Sequence, residues 1–191
     1  MEIKQYGSYY LRDNPQLYEP MRGSTFQFVV PELNNILRSG AEEGEVDSTI
    51  TNADQVFRFS VDSTSVPHFS QETISIKRGN STMKFAGAPS FPDGNIVIND
   101  YIGADSKSVL MAWQNKSYNV KEEAVGLASD YKLQGYLMEY TPDFKKLVRT
   151  WKLIGCWISG LNEDNFSASS DGKRTITATI QYDYAVMEMP D

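Results

Sequence analysis

The sequence predicts a mainly β fold, an antiparallel sandwich or barrel with one packed α-helix. Three observations carry this. Residues Thr175–Tyr184 alternate without a break. Ile176, Ala178, Ile180, Tyr182 and Tyr184 take one face, and Thr175, Thr177, Thr179, Gln181 and Asp183 the other, which is the period of a half-buried strand. Two more alternating runs, Glu72–Arg78 and Ser81–Ala86, flank Gly79-Asn80 and read as a β-hairpin. Helical periodicity is clear only once, from the capping residue Asp105 to about Lys116, with Val109, Leu110 and Trp113 on one side. The 11 Tyr, 9 Phe and 3 Trp add β-favouring side chains.

The remaining elements follow in order. Residues 1–22 hold turn formers and scattered aromatics (Tyr9, Tyr10, Asn14-Pro15, Tyr18, Pro20) and read as an extended arm. Thr25–Val30 alternates as a strand and stops at Pro31. Glu32–Arg38 has room for one helical turn. Residues 39–55 read as an acidic loop insertion, with Glu42, Glu43, Glu45, Asp47 and Asp54 and no basic residue among them. Val56–Asp62 places Phe57, Phe59 and Val61 on one face and predicts a strand, ended by Pro67. Asn95–Asn99 is a strand, and Val120–Leu127 a weak second helix. Gly135–Tyr140 and Leu147–Ile158 are strands around a Thr141-Pro142-Asp143 turn, and Asn162–Gly172 is a polar loop. The total is about eight strands in a single domain, 1–191, with no internal repeat.

Composition excludes several function classes. The formal net charge of −7 disfavours a duplex-gripping protein, which needs dense Lys and Arg to displace counterions. One Cys excludes a disulfide framework or a multi-cysteine metal site, and one His excludes a histidine-rich metal cluster. No signal-peptide pattern opens the chain. Its longest charge-free apolar stretch, Leu153–Leu161, is far short of the roughly 20 residues of a spanning helix. No membrane insertion by this chain is expected.

Chemistry is equally sparse. No phosphate-cradling glycine loop and no nucleophile elbow is present. His68 lacks a partner in sequence and reads as structural or solvated, and Cys156, in an apolar strand with Trp151, Leu153, Ile154, Trp157 and Ile158, reads as a small buried thiol. Ser81-Thr82-Met83-Lys84 matches the spacing of a Ser–Lys nucleophile motif but falls in the hairpin instead of opening a helix. The carboxylates of Glu122-Glu123 and Glu163-Asp164 are adjacent and diverge. No catalytic residue, metal ligand or cofactor is expected.

The order of the pieces is more informative than any motif. A strand ending in Ser65-Val66-Pro67 precedes the hairpin, then Pro92-Asp93-Gly94-Asn95-Ile96-Val97-Ile98-Asn99-Asp100, then a helix ending Leu110-Met111-Ala112-Trp113-Gln114. Thr141-Pro142-Asp143, Trp151-Lys152-Leu153-Ile154-Gly155-Cys156-Trp157 and the closing strand complete it, with Asn14-Pro15 and Phe26-Gln27-Phe28 upstream. Over about residues 24–185 this resembles the tail tube protein of contractile-tailed bacteriophages. That resemblance implies hexameric rings whose strands join into one large barrel. Stacked rings then make a hollow conduit for ejecting phage DNA, located in the virion tail and assembled in the bacterial host cytoplasm. The implied partners are further copies of the chain, the sheath, baseplate and terminator, and the tape measure protein and DNA in the lumen. Residues 31–55, longer than the family needs, and the extended 1–20 arm depart from the family and leave open a specialised ring at a tube end. The same resemblance extends to the haemolysin-coregulated tube of type VI secretion and to other contractile injection particles.

On this reading the acidic balance suits a wall past which a polyanion slides. The candidate lumen-facing residues are Thr175, Thr177, Thr179, Gln181 and Asp183. The candidate inter-ring or inter-subunit contacts are Lys77, Arg78, Asn80 and Lys84 on the hairpin and Glu42, Glu43, Glu45 and Asp47 on the loop. A different class, a monomeric carbohydrate-binding sandwich using Tyr9, Tyr10 and Tyr18, stays open as the remote alternative.

Overall fold

The computed structural model describes residues 19–38, 52–103, 106–164 and 172–190. In chain order the elements are β1 (Phe26–Val29), α1 (Leu33–Arg38), α2 (Ala53–Ser60), β2 (Val61–Thr64), β3 (Ser70–Arg78), β4 (Ser81–Ser90), β5 (Gly94–Asn99) and α3 (Ser106–Ser117). They continue with β6 (Tyr118–Asn119), β7 (Ala124–Val125), α4 (Ala128–Tyr131), β8 (Leu133–Tyr140), β9 (Leu147–Glu163), β10 (Thr175–Gln181) and β11 (Tyr184–Glu188).

Seven strands form one antiparallel sheet in the order β1-β8-β9-β10-β5-β2, with β11 also on β9. The 17-residue β9 organises it. Its first part pairs β8, from Tyr140↔Leu147 to Leu133↔Cys156. Its other edge pairs β11 between Thr150 and Ile154, then β10 between Trp157 and Glu163. The two remaining pairs, β3–β4 and β6–β7, are separate two-stranded ribbons.

The core lies on one face of the sheet. Phe28, Ile96, Ile98, Leu137, Leu153, Ile158, Ile176, Ala178 and Ile180 meet Leu33 and Leu37 of α1, Ala53 and Phe57 of α2, and Val109, Leu110 and Trp113 of α3. Phe57 sits between Phe28 and Trp113, with ring centroids 5.9 Å from each. The Trp113 indole N–H donates to the Tyr131 carbonyl at 2.9 Å, so the largest buried side chain leaves no donor unpaired. Where α2 meets α3, the buried Ser60 and Ser106 hydroxyls hydrogen-bond at 2.8 Å.

Four sequence expectations need correction. Val56–Asp62 is not one strand: residues 53–60 are helix α2 and only Val61 begins β2. The buried positions Ala53, Phe57 and Ser60 follow i, i+4, i+7, and Phe59, expected inside, is 70% exposed. The partners that decide this are Phe28 and Trp113, a distant strand and a distant helix. The weak helix over Val120–Leu127 is instead the β6–β7 ribbon, with Glu123 at φ 52° and the Gly126 N–H bonded to the Ser117 carbonyl at 3.0 Å. The strand Leu147–Ile158 continues to Glu163 and takes the start of the expected polar loop with it. Finally, the closing strand breaks after Gln181 and resumes at Tyr184 on a different part of β9. The described residues hold eleven strands and four helices, of which α3 is the longest helix. The mainly β architecture with a packed helix stands.

Candidate assembly interface

The hairpin exposes four large apolar side chains, Ile74, Ile76, Met83 and Phe85. The turn is set by Gly79 at φ +62°, a conformation glycine adopts without steric cost, and the Ser81 hydroxyl donates to the Arg78 carbonyl at 3.0 Å across it. Register pairs Ile74 with Phe85, Ile76 with Met83 and Arg78 with Ser81. Directly opposed residues share a face. One face is therefore Ile74, Ile76, Met83 and Phe85, with Arg78 at its tip. The other holds Thr73, Ser75, Lys77, Thr82 and Lys84. The four apolar side chains are 52%, 53%, 42% and 48% exposed, and β3 is exposed along its whole length.

The ribbon's base is anchored. Pro67 is buried beside it. Phe69 packs against Phe91 with tilted rings whose centroids are 5.7 Å apart, and Phe91 meets Tyr182 edge-on at 6.1 Å. Burial of Tyr182 in this cluster pushes its phenol up. Ser65 and Asn95 are joined through Ser65 N to Asn95 O and Asn95 N to Ser65 Oγ, each at 2.9 Å. The ribbon thus projects from a fixed root.

The structure separates the four hairpin candidates. Lys77 and Lys84 lie together on the polar face, Arg78 ends the apolar face, and Asn80 is in the turn. The apolar quartet was missed at the sequence level, although the alternation of Ile74, Ile76, Met83 and Phe85 was visible. What sequence did not reveal is that, among the described residues, no layer covers it. The acidic candidates Glu42, Glu43, Glu45 and Asp47, and most of the 1–22 arm, lie outside the described residues.

The second candidate surface is the open face of β10. Ile176, Ala178 and Ile180 are buried, and Thr175, Thr177, Thr179 and Gln181 stand on the opposite side. Asn99, Val97 and Asn95 of β5 lie beside the three threonines, and Asn162 of β9 lies opposite Thr177. Hydroxyls and amides dominate this surface, which is neutral and not acidic as the overall charge suggested. Its ends are flanked by paired charges. Lys173 contacts Asp62 at 2.6 Å, and Lys132 contacts Asp183 at 2.6 Å. The hydrogen bond from Lys173, then that from Asn99, holds the Asp62 carboxyl below its usual range.

Asp183 does not continue the threonine row. Its backbone N–H bonds the Ile154 carbonyl at 2.9 Å, and its carboxylate lies over Gly155, where any Cβ would overlap it. Gly155 is at φ +67°. This close approach moves the chain from β10 to β11.

A charged cluster closes the far end of the sheet. Glu163 binds Lys107 of α3 at 2.8 Å and also the Arg174 guanidinium, which reaches Asp100 at 3.8 Å. The Lys107 hydrogen bond is the main cause of a lowered Glu163 pKa. Asp164 accepts from the Thr175 hydroxyl at 2.6 Å and the Thr175 N–H at 3.1 Å. These carboxylates are occupied in structural contacts. Cys156 is buried, and burial raises its thiol to about 12. His68 is exposed, its Nδ1 3.4 Å from the Val66 carbonyl. Among the described residues no three His, Cys, Asp or Glu side chains are placed to hold a metal ion. No described helix is long and apolar enough to cross a membrane.

No family model matches the sequence, and no curated protein matches it. The fold does have solved counterparts. One is a chain from an extracellular contractile injection system, the PVC sheath-tube complex in its extended state, at TM-score 0.63, 16% identity, 91% of this chain and 95% of that one. Another is from the anti-feeding prophage cap, described as a tube terminating cap, at TM-score 0.65 and 14% identity, covering 100% of both chains. A third is from the anti-feeding prophage baseplate, 6-fold symmetrised, at TM-score 0.59, 12% identity, 90% of this chain and 97% of that one. At these identities the likeness establishes the fold.

Proposed function

We propose that this chain is a structural, non-catalytic subunit of the tube of a contractile tail, forming hexameric rings that stack into a hollow conduit. One observation carries the reading. The β3–β4 ribbon has an apolar face with no layer over it among the described residues, and a two-stranded ribbon by itself is at best marginally stable in water. Left open, it is an aggregation liability; covered by another copy, it becomes an interface. Fold neighbours drawn from a sheath-tube complex, a tube cap and a baseplate support the same role.

In this proposal the polar face of β10, with Thr175, Thr177, Thr179 and Gln181, lines the lumen. Neutral hydroxyls and amides there let DNA, or a tape measure protein, pass without binding. Asp183 is withdrawn into the bend. Lys77, Arg78, Asn80 and Lys84 contact neighbouring subunits, and the acidic residues Glu42, Glu43, Glu45 and Asp47 are candidates to receive them. Sheath surrounds the tube, and baseplate and terminator close its ends. The assembled location is the virion tail. A second reading, a ring at the tube end or in an injection particle other than a phage, is favoured by the full-length match to the terminating cap.

The test is negative-stain electron microscopy of the purified chain over a range of concentrations. Rings or hollow tubes of uniform width are expected. A monomer at every concentration would count against assembly by this chain alone, and glycan-array binding by that monomer would favour the carbohydrate-binding alternative.

A further inference from the structure

β11 lies at an edge of the sheet. It pairs β9 on one side, and among the described residues nothing pairs its other edge. An unpaired edge is a row of free N–H and C=O groups that templates another strand. Tyr184 and Val186 on that strand are 47% and 45% exposed. We propose that the outer edge of β11 receives strand β4 of a second copy, adding that copy's ribbon to the sheet. This rests on the tube reading and names which edge accepts the ribbon.

Charge sets the direction. The ribbon tip carries Lys77, Arg78 and Lys84, and β11 ends in Glu188. Opposite charges steer and orient such contacts, so the tip lies at the Glu188 end. In that direction β4 runs antiparallel to β11, and β3 would run parallel. Every strand pair in the described fold is antiparallel, the slightly more stable arrangement, which selects β4. Pattern sets the register. Tyr184 falls opposite Phe85, Val186 opposite Met83, and Glu188 opposite Ser81, beside which Arg78 stands. Apolar meets apolar at two successive same-face positions, and an acid meets a base at the third. A shift by one residue would set Val186 against Lys84 or Thr82 and lose the match.

The single native cysteine is buried, so engineered thiols report cleanly. Met83→Cys and Val186→Cys are made on separate, differently tagged chains, mixed under assembling conditions and oxidised in air. Opposed strand positions lie within disulfide reach. A mixed disulfide dimer is expected that disappears when the chains are diluted below the assembly concentration. An Ile102→Cys chain paired with Met83→Cys is the control and gives none. Rings without the mixed disulfide would overturn β11 as the acceptor while leaving the tube reading intact. A disulfide within one diluted Met83→Cys/Val186→Cys chain would place the ribbon on its own β11 and overturn the second-copy assignment. A monomeric unmodified chain would overturn both. A charge exchange adds a measurement independent of thiols. Glu188→Lys and Arg78→Glu each raise the assembly concentration about two- to five-fold, as a rim ion pair would, and their combination restores it. No restoration would break the proposed register.

Discussion

Replacing Ile74 and Ile76 by serine removes half of the ribbon's apolar face without touching the core. Full burial of an Ile, Met or Phe side chain contributes about 1.5–3 kcal/mol. Each of Ile74, Ile76, Met83 and Phe85 is about half exposed, so covering it in an assembly yields about 1 kcal/mol more. The four together contribute about 3–6 kcal/mol per interface, and the two isoleucines about half of that. At 1.4 kcal/mol per decade, the double variant assembles only at concentrations about 10- to 100-fold higher. Sedimentation velocity across a dilution series measures that shift, with microscopy to identify the species. Thermal unfolding of the dissociated subunit serves as control and stays near that of the unmodified chain, because neither residue belongs to the core cluster. Assembly at an unchanged concentration would show that the ribbon is not buried between subunits. Unfolding of the dissociated variant would show that the ribbon supports the subunit itself.

Three other outcomes follow from the geometry. Gly155→Ala forces a Cβ into a left-handed conformation, costing about 1–2 kcal/mol, and displaces the Asp183 carboxylate from Lys132; adding Asp183→Ala relieves the overlap but not the backbone strain, so urea unfolding should show partial recovery only. Glu163 has a depressed pKa in the folded state, so its contribution is complete above the unfolded value near 4.5 and is lost as pH falls through the folded value. Glu163→Gln should therefore flatten the fall in stability below about pH 4.5, measured by melts from pH 7 to 3; an unchanged pH profile would remove Glu163 from acid sensitivity. Cys156, with its thiol near 12 and buried, should resist a thiol reagent at pH 8 in the folded chain and react at once in denaturant; fast labelling of folded protein would show that the core around it opens.

Much of the fold was legible in local pattern. β10, β5, β8 and α3 lie where alternation or helical spacing placed them, because each has one buried face and repeats it for several residues; the β3–β4 hairpin lies where its alternation and Gly79-Asn80 turn placed it, although neither of its strands is buried. Phe57 and Phe59 misled because an i, i+2 apolar pair in seven residues fits a strand, while the spacing Ala53–Phe57–Ser60 needed knowledge of what faced it. The candidate contacts were half legible. Lys77 and Lys84 were found as charges at a hairpin tip, and the apolar face they share a ribbon with was not, since alternation alone says that one face is covered without saying by what.

Sequence by itself determined the class of the molecule: period-2 strands, one long helix and a glycine-turned hairpin. Those are short-range properties, written in neighbours a few residues apart. Tertiary structure alone decided that α2 is helical against Phe28 and Trp113, that the closing strand bends where Asp183 meets Gly155, and that the ribbon and the β11 edge stand uncovered among the described residues. Each depends on atoms brought together from distant parts of the chain, and burial is a property of those partners and not of the residue.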